Sequence, residues 1–251
     1  MRENISTGGN KMRNSKKYNN LYLIALIVIL SCSSVSAKLL PIYSVFTEKK
    51  QVAITFDCAW GAEDIDQILG ILEGENVKAT FFMVGDWMRK YPEAVKKIAD
   101  KGHDLASHSD RHPHVTQMSK EDIKKDIRFA HNTIKDISGV DANLYRAPYG
   151  EYNDTVVQAA HESGYYIIQW DVDSLDWKNY GRQEMIDRVL KHKNLSPGSI
   201  ILLHNSTKYT KDALLSIIKG LKDKGYEMVP VSQLIIKENY TIDHTGRQYR
   251  K

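Results

Sequence analysis

The 251-residue sequence contains little cysteine and only one long apolar run. Its two cysteines are Cys32 and Cys58. Residues 21–30 (LYLIALIVIL) are apolar without interruption. Ten residues of helix rise about 15 Å, which is about half of the hydrocarbon core of a bilayer. The sequence therefore excludes a multi-span membrane protein, and its 42% apolar and 26% charged residues are ordinary for a globular domain.

An excess of positive charge is missing from most of the chain. The formal net charge is +4, but residues 1–37 hold five basic side chains and one acidic side chain. Residues 38–251 hold thirty of each sign. Because binding to nucleic acids depends on a basic surface, no nucleic-acid partner is expected. A neutral sugar polymer or the mixed-charge cell wall fits the balanced part of the chain better.

The first 37 residues have the layout of a secretory signal peptide. A basic segment precedes the apolar run, and small residues follow it up to a small-x-small site at Ala37. An uncleaved signal anchor is the alternative, because the run extended to Ala37 has the minimum length for a membrane span. A lipoprotein cleavage site before Cys32 fits poorly. All three interpretations export the chain, and cleavage would leave Cys58 without a disulfide partner.

After the leader, we expect a linker at 38–50, one α/β domain at 51–237 and a polar, frayed tail at 238–251. Strand-like apolar runs alternate with amphipathic helical stretches, which indicates parallel β/α units. The strand-like runs are 51–56, 78–85, 103–107, 143–146, 165–172, 199–204 and 226–231. The helical stretches are 63–74, 91–102, 119–138, 153–163, 181–193 and 210–224. About seven strands predict either a barrel-like arrangement or a doubly wound sheet, and the strand order is not visible.

Chemically active side chains follow five of the predicted strands. They lie in the segments TFDC (55–58), HSDRH (108–112), RAPYG (146–150), DSLDW (173–177) and LLH (202–204). Since the carboxyl ends of parallel strands meet at one rim, these groups are expected to form one site. His108 and His112 have a spacing that lets two imidazoles reach one metal ion. That spacing alone is a weak signal, and Asp57 and Cys58 strengthen it.

These segments, in this order and at these intervals, resemble the five motifs of the polysaccharide deacetylase (NodB-homology) family, carbohydrate esterase family 4. The resemblance covers about residues 50–235. Within the family, TFDCAWG and its spacing to KATFF are most similar to the sporulation-associated (PdaB-like) deacetylases of spore-forming Gram-positive bacteria. The resemblance implies a distorted (β/α) barrel of about seven parallel strands in a single domain.

The resemblance also implies an activity and its setting. It implies hydrolysis of N-acetyl or O-acetyl groups on a glycan polymer such as peptidoglycan, chitin oligosaccharide or xylan, with peptidoglycan as the leading substrate. The expected cofactor is a divalent metal, with Zn²⁺ as the expected ion. The protein would be a monomer, secreted or anchored at the cell surface of a Gram-positive bacterium, with the spore envelope as one destination. It would touch a membrane only through an uncleaved leader.

Roles for the site residues follow from the same resemblance. Asp57 corresponds to the general base, and Arg146 to the residue that orients its carboxylate. His108 and His112 correspond to the metal-binding histidines. In this chemistry a metal polarises the acetyl carbonyl and a carboxylate removes a proton from water.

The remaining motifs supply the acid and the acetyl pocket. His204 corresponds to the general acid, and Asp176 to its carboxylate partner. The backbone N–H of Tyr149 corresponds to the oxyanion donor. Trp177 and Leu202 correspond to the walls of the acetyl pocket.

Cys58 departs from the family pattern, which has a metal-binding aspartate at this position. Its thiolate could bind zinc together with the two histidines. Alternatively it points away, and the metal is held by His108 and His112 with water, Asp110 or Asp57. In a third interpretation the site binds metal poorly and catalysis is weak or absent. The functional alternatives to an N-deacetylase are accordingly a wall-binding pseudoenzyme or an esterase of O-acetylated xylan.

Overall fold

A parallel sheet forms the middle of the molecule in the computed structural model, which describes residues 38–251. The strand β1 (Ser44–Val45) precedes it and belongs to a smaller sheet. The strands of the large sheet are β2 (Gln51–Cys58), β3 (Thr80–Met83), β4 (Asp104–Ser107), β5 (Leu144–Tyr145), β6 (Tyr166–Ile167), β7 (Val172–Asp173), β8 (Ile200–His204) and β9 (Glu227–Met228). The predicted leader, with Cys32 and the cleavage site at Ala37, lies outside the described residues.

Seven of these strands form a curled path in the order β6-β5-β4-β3-β2-β8-β7, with β9 beside the start of β2. All neighbouring strands in this sheet are parallel. β6 and β7 lie at opposite ends of the path, although only residues 168–171 separate them in sequence. Ile42 pairs with Ile168 in the gap between them. The prediction of a distorted barrel of parallel strands is confirmed.

The interpretation of residues 165–172 as one strand is wrong. Tyr166 and Ile167 pair with β5, whereas Val172 and Asp173 pair with β8. The Gln169 N–H donates to the carbonyl oxygen of Ile42 at 2.7 Å. Most of residues 165–169 and Val172 are buried on both sides of the break, so periodicity could not show it.

Helices cover the outside of the sheet, and each predicted helical stretch contains one of them. They are α1 (Ile65–Gly74), α2 (Gly85–Lys90), α3 (Pro92–Asp100), α4 (Lys120–Ser138), α5 (Asp154–Glu162), α6 (Arg182–Leu190), α7 (Thr210–Asp223) and α8 (Val231–Leu234). The short helices α2 and α8 were not predicted. The Ser119 hydroxyl caps α4 by accepting from the Asp122 N–H, and Gly139 ends it in the left-handed conformation. No helix within 38–251 has the length and apolar character needed to cross a membrane.

Side chains on β2 alternate between two environments. Ile54, Phe56 and Cys58 belong to the apolar cluster that packs against the outer helices. Ala53 belongs to a second cluster with Phe82. By the same alternation Asp57 shares the face of Ala53, and this face leads into the candidate site.

The C-terminal segment is ordered, so the expectation of a frayed tail is wrong. It forms the hairpin β10 (Tyr240–Ile242) and β11 (Arg247–Arg250), and β11 pairs in parallel with β1. Gln248 is fully buried and bonds to both the N–H and the carbonyl of Ile236. Residues 38–50, expected to be a linker, contain β1 and the buried Ile42.

Candidate functional site

A groove of about 750 Å³ lies at the carboxyl ends of the parallel strands. Seven of the residues singled out from the sequence line it: Asp57, His108, His112, Tyr149, Trp177, Leu202 and His204. Arg146 and Asp176 are buried behind this lining and bond to its residues. Cys58 lies instead in the apolar cluster on the other face of β2.

Asp57 forms a buried ion pair with Arg146. The Arg146 Nη1 donates to Asp57 Oδ1 at 2.6 Å and to the Thr55 hydroxyl at 2.9 Å, and Nη2 donates to the Gln169 carbonyl at 3.1 Å. Burial would raise the pKa of Asp57, but the charges of Arg146, His108 and His204 lower it below its usual value. The carboxylate is therefore ionised at neutral pH and held in one orientation.

His204 and Asp176 form a second pair, and His204 is the register partner of Asp57 on the neighbouring strand β8. His204 Nδ1 lies 2.7 Å from Asp176 Oδ1, while Asp176 Oδ2 accepts from the His204 N–H and the Thr210 hydroxyl, both at 2.7 Å. Burial would lower the pKa of His204, but the hydrogen bond and charge of Asp176 raise it above its usual value. His204 can therefore carry a proton near neutral pH.

The rings of His108 and His112 lie edge to face, with centroids 4.9 Å apart. His108 Nδ1 lies 2.9 Å from the Arg146 carbonyl oxygen, so this nitrogen carries the proton and donates. His108 Nε2 then keeps its lone pair and lies 3.6 Å from Asp57 Oδ2. Burial lowers the pKa of both histidines, that of His112 to about 4. Two neutral imidazoles, one fixed by a backbone carbonyl, are the arrangement found in metal sites.

This donor set fits a divalent metal at the two histidines, with Asp57 Oδ2 as the nearest carboxylate oxygen. Within residues 38–251, no group of three or more histidine, cysteine, aspartate or glutamate side chains is preassembled around one point. Other ligand positions would therefore be left to water or substrate. A carboxylate and two imidazoles suit zinc among several transition metals.

Cys58 is fully buried in the apolar cluster behind β2. Burial raises the pKa of its thiol well above the usual value, and the charges of Asp57 and Asp64 add to the rise. A neutral thiol on the far face of the strand is not in a position to bind a metal held by His108 and His112. The geometry agrees with the interpretation in which Cys58 points away.

Tyr149 lies at the groove mouth with a left-handed backbone, φ 59°. Such a conformation is strained for a tyrosine and is common at functional sites. Its ring stacks on the ring of His114 with centroids 4.4 Å apart and meets the edge of His112 at 4.5 Å. Trp177 is half-exposed and lines the outer part of the groove. Leu202 is buried and lines its floor.

Two further residues, Asp173 and Trp60, also line the groove. Asp173 accepts from the Leu175 N–H at 2.9 Å and also lines the groove, so it both makes a turn and is available to a ligand. Trp60 is 55% exposed, lines the groove and lies 5.6 Å from the ring of His204. It is therefore a surface aromatic of the site and not a core residue.

Sequence reasoning missed three residues that orient the two ion pairs. Thr55 accepts from Arg146, Gln169 contributes its carbonyl to the same guanidinium, and Thr210 donates to Asp176. The position of Thr55 two residues before Asp57, on the same strand face, was a usable signal. Gln169 and Thr210 lie in other segments and carry no local signal.

The sequence is similar to a family of known proteins and to individual members of it. A profile of the family described as "Polysaccharide deacetylase" matches residues 45–168. A peptidoglycan-N-acetylglucosamine deacetylase of Bacillus cereus is 34% identical over 190 residues, which are 74% of this chain and 68% of that protein.

Solved structures include both active and inactive relatives of this fold. A peptidoglycan N-acetylglucosamine deacetylase called Bc1960 superposes with a TM-score of 0.73 at 33% identity, covering 77% of this chain and 92% of that one. A protein from Bacillus anthracis described as a pseudoenzyme superposes with a TM-score of 0.75 at 30% identity, covering 84% and 73%. A mutant of that pseudoenzyme is described as having restored enzymatic activity.

Proposed function

Because the chain belongs to the polysaccharide deacetylase family, whose named relatives hydrolyse amide bonds of peptidoglycan sugars, we propose that it is an exported, metal-dependent N-deacetylase of an aminosugar polymer. The observation that supports this most is the pairing of Asp57 with Arg146 and of His204 with Asp176 around one groove. One pair lowers the pKa of a carboxylate, and the other raises the pKa of an imidazole. An amide hydrolase needs both a base and an acid.

In this proposal Asp57 is the general base. Arg146 holds its Oδ1 atom, which leaves Oδ2 directed toward His108. A water molecule between Oδ2 and the acetyl carbonyl would lose its proton to this atom. Positioned carboxylates of this kind typically contribute about 10²- to 10⁴-fold.

His204 is the general acid in the same scheme. Its Nδ1–H donates to Asp176, so Nε2 is the nitrogen that carries the second proton. This proton would pass to the sugar nitrogen as the C–N bond breaks. Asp176 would orient the ring and stabilise its charged form.

The acetyl group would lie between Leu202 and Trp177. The strained backbone of Tyr149 would supply an N–H donor for the developing oxyanion. His108 and His112 would hold the metal together with water, which leaves Asp57 Oδ2 free to act as the base, and we propose Zn²⁺ as the ion. When bound, the metal would polarise the acetyl carbonyl and favour ionisation of water.

The substrate and setting follow from the same premise. The named relatives act on peptidoglycan, so we propose peptidoglycan as the polymer and the cell wall as the place of action. The layout of residues 1–37 supports export as a secreted or anchored protein, and the similarity of TFDCAWG to the sporulation group supports a role in the spore envelope.

A second candidate is a wall-binding pseudoenzyme. It is favoured by one observation, that the position where the family has a metal-binding aspartate holds a buried cysteine. A solved relative is likewise described as a pseudoenzyme. Such a protein would keep the groove and its affinity for glycan and lack turnover.

Muropeptide analysis separates these candidates. Purified peptidoglycan is incubated with the full-length protein and Zn²⁺, digested and examined by mass spectrometry. We expect deacetylated aminosugars, and none after chelation of the metal. Intact acetyl groups at every metal concentration, together with retained binding to peptidoglycan, would establish the pseudoenzyme. Release of acetate only from O-acetylated xylan would instead establish the esterase.

A further inference from the structure

The turn at Tyr149 and Gly150 is strained at two successive positions. Both residues have left-handed backbones, with φ values of 59° and 66°. A tyrosine adopts this conformation at a cost, so contacts around the turn must hold it. Inside the turn, the Gly150 N–H donates to the Ala147 carbonyl at 3.2 Å. The Glu151 N–H donates to the Pro148 carbonyl at 3.1 Å. These two bonds close the turn on itself, and its place in the groove depends on contacts from elsewhere.

One side chain from another segment provides such a contact. The Gln169 amide nitrogen Nε2 donates to the Gly150 carbonyl oxygen at 3.0 Å. Gln169 is 2% exposed and lies in the break between β6 and β7. A buried amide that lost this acceptor would leave a donor without a partner, which costs free energy. The bond therefore ties the strained turn to the break in the sheet.

Close packing fixes the same approach. A Cβ at position 150 would lie 2.8 Å from the Trp170 ring atom Cη2, so glycine alone allows the turn to come this close. Gly150 and Trp170 both line the groove. The position of the turn along the groove is therefore set by the two residues 169 and 170.

The main chain of Gln169 is bonded to the other half of the site. Its carbonyl accepts from Arg146 Nη2 at 3.1 Å, and its N–H donates to the Ile42 carbonyl at 2.7 Å. The same guanidinium donates through Nη1 to Asp57 at 2.6 Å. One residue thus contacts the group that orients the carboxylate through its backbone and the strained turn through its side chain.

The N–H of Tyr149 is a donor that the fold does not use. In the part of the chain that the structure describes, residues 38–251, this N–H forms no hydrogen bond. Tyr149 lines the groove, so a ligand there can accept from it. The distance from this donor to the ionised carboxylate of Asp57 depends on where the turn is held.

We propose that Gln169 is a positioning residue, whose side chain fixes the Tyr149 N–H relative to Asp57. The proposal rests on the proposed function, in which this N–H stabilises the oxyanion and Asp57 takes the proton of water. A misplacement of about 1 Å can cost about 10²-fold in rate. Loss of the Gln169 side-chain bond should therefore weaken transition-state stabilisation and leave ground-state binding of the glycan unchanged.

Gln169→Met tests the side chain alone. Methionine keeps the length of the side chain and removes the donor, while the main-chain carbonyl that binds Arg146 remains. We expect kcat for acetate release from peptidoglycan oligomers to fall about 10- to 100-fold. KM should stay within about twofold of the wild type, because only the transition state loses an interaction. Zn²⁺ affinity, measured by competition with a chromophoric chelator, should be unchanged.

Gln248→Met is the matched control. Gln248 is also a buried glutamine whose side chain bonds to backbone groups, those of Ile236, and it does not line the groove. Its replacement should lower stability and keep the wild-type kcat. If the role of Gln169 were only structural, the two variants would lose stability alike and keep kcat alike, and the proposal would be wrong.

A transition-state analogue gives a readout that does not require turnover. A methylphosphonamidate of a glucosamine oligomer carries phosphoryl oxygens where the acetyl group would form its oxyanion. Calorimetry with the Zn²⁺-loaded protein should show that Gln169→Met weakens binding of this analogue by the same factor as kcat/KM. Binding of the matching N-acetylglucosamine oligomer should not change. Unchanged affinity for the analogue in a folded Gln169→Met protein would overturn the proposal.

A second variant covers failure of the first to fold. Gln169→Glu keeps the shape of the side chain and replaces the amide donor with an acceptor that faces the Gly150 carbonyl. It should reduce kcat and affinity for the analogue at least as much as Gln169→Met. Wild-type values for both quantities would contradict the positioning role.

Failure of the proposed function looks different. The wild type would then release no acetate and would bind the phosphonamidate no more tightly than the N-acetyl oligomer. Crystal structures of the wild type and Gln169→Met decide the positioning role in that case. A displaced turn at Tyr149 and Gly150 in the variant would support it, and an unmoved turn would overturn it.

Discussion

Two adjacent residues of β2, Asp57 and Cys58, lie in opposite environments. Asp57 faces the groove and is kept ionised by Arg146. Cys58 faces the helices, where burial keeps its thiol protonated. The sequence places both residues at the strand end but does not say which face each one takes. The face follows from the packing of β2 between the helices and the barrel interior.

Cys58→Ser tests the position of the thiol. A buried hydroxyl without a partner costs about 1–3 kcal/mol, so the free energy of unfolding in urea should fall by that amount. The Zn²⁺ affinity should stay within about twofold of the wild type, since the thiol is not among the groups facing the metal site. His112→Ala is the control and should lower the affinity strongly. A tenfold loss of affinity in Cys58→Ser would show that the thiolate binds the ion.

The pH dependence of catalysis tests the pair formed by His204 and Asp176. Asp176 raises the pKa of His204, so activity that needs the protonated imidazole is lost as the pH rises through this elevated value. In Asp176→Asn the alkaline limb of kcat/KM should move to lower pH by about one to three units. Asp173→Asn should move it less, because the charge of Asp173 raises the pKa of His204 less than Asp176 does. If the alkaline limb of kcat/KM does not move in Asp176→Asn, a titrating group other than His204 causes that limb.

At the scale of elements, the sequence predicts most of the strands and helices but not how they pair. Continuous apolar runs locate β2 and β8, because both faces of these strands are buried. The 3.6-residue period locates the long helices, because each of them has one buried face. The run 165–172 shows the limit. Its residues are apolar on both sides of a break, and the partners that divide it, Ile42 and β8, are far away in sequence.

Gly198, just before β8, packs against Val45 of β1 and allows a test of how these elements fit together. It has φ 88°, and a Cβ there would overlap the Val45 carbonyl oxygen, while its own carbonyl accepts from the Val45 N–H at 2.9 Å. Gly198→Ala should therefore reduce the free energy of unfolding by more than about 2 kcal/mol. Gly70→Ala, in the exposed middle of α1 with open space around it, should increase it by about 0.5–1 kcal/mol. Equal stability of the two variants would contradict this account.

For the whole molecule, residues of all five motifs lie at one groove, because a parallel sheet brings all its carboxyl ends together. The sequence could not predict the residues that support the motifs from elsewhere, such as Gln169 and Thr210. It also gave no sign that the polar C-terminal segment is part of the folded unit. The hydrogen bonds of that segment run to β1 and Ile236, and polar strands of this kind lack a hydrophobic pattern.

Truncation after residue 237 tests whether the C-terminal hairpin supports the fold. The deletion removes the partner of β1 and both hydrogen bonds of Gln248, so the free energy of unfolding should fall by at least about 2 kcal/mol. Gln248→Ala should reproduce part of the loss. Deletion of the exposed Lys251 alone should have little effect. If the truncated protein unfolds at the same urea concentration as the wild type, the hairpin does not contribute to the stability of the fold.

Acetate release from peptidoglycan oligomers is the measurement that tests the proposed activity most directly. Wild type and Asp57→Asn are compared at the same bound Zn²⁺, so that a difference reflects the base and not the metal content. The proposed mechanism predicts steady release of acetate by the wild type and a rate at least about 10²-fold lower in Asp57→Asn. No release by the metal-loaded wild type, or equal rates for the two proteins, would contradict the assignment of this groove as a deacetylase site.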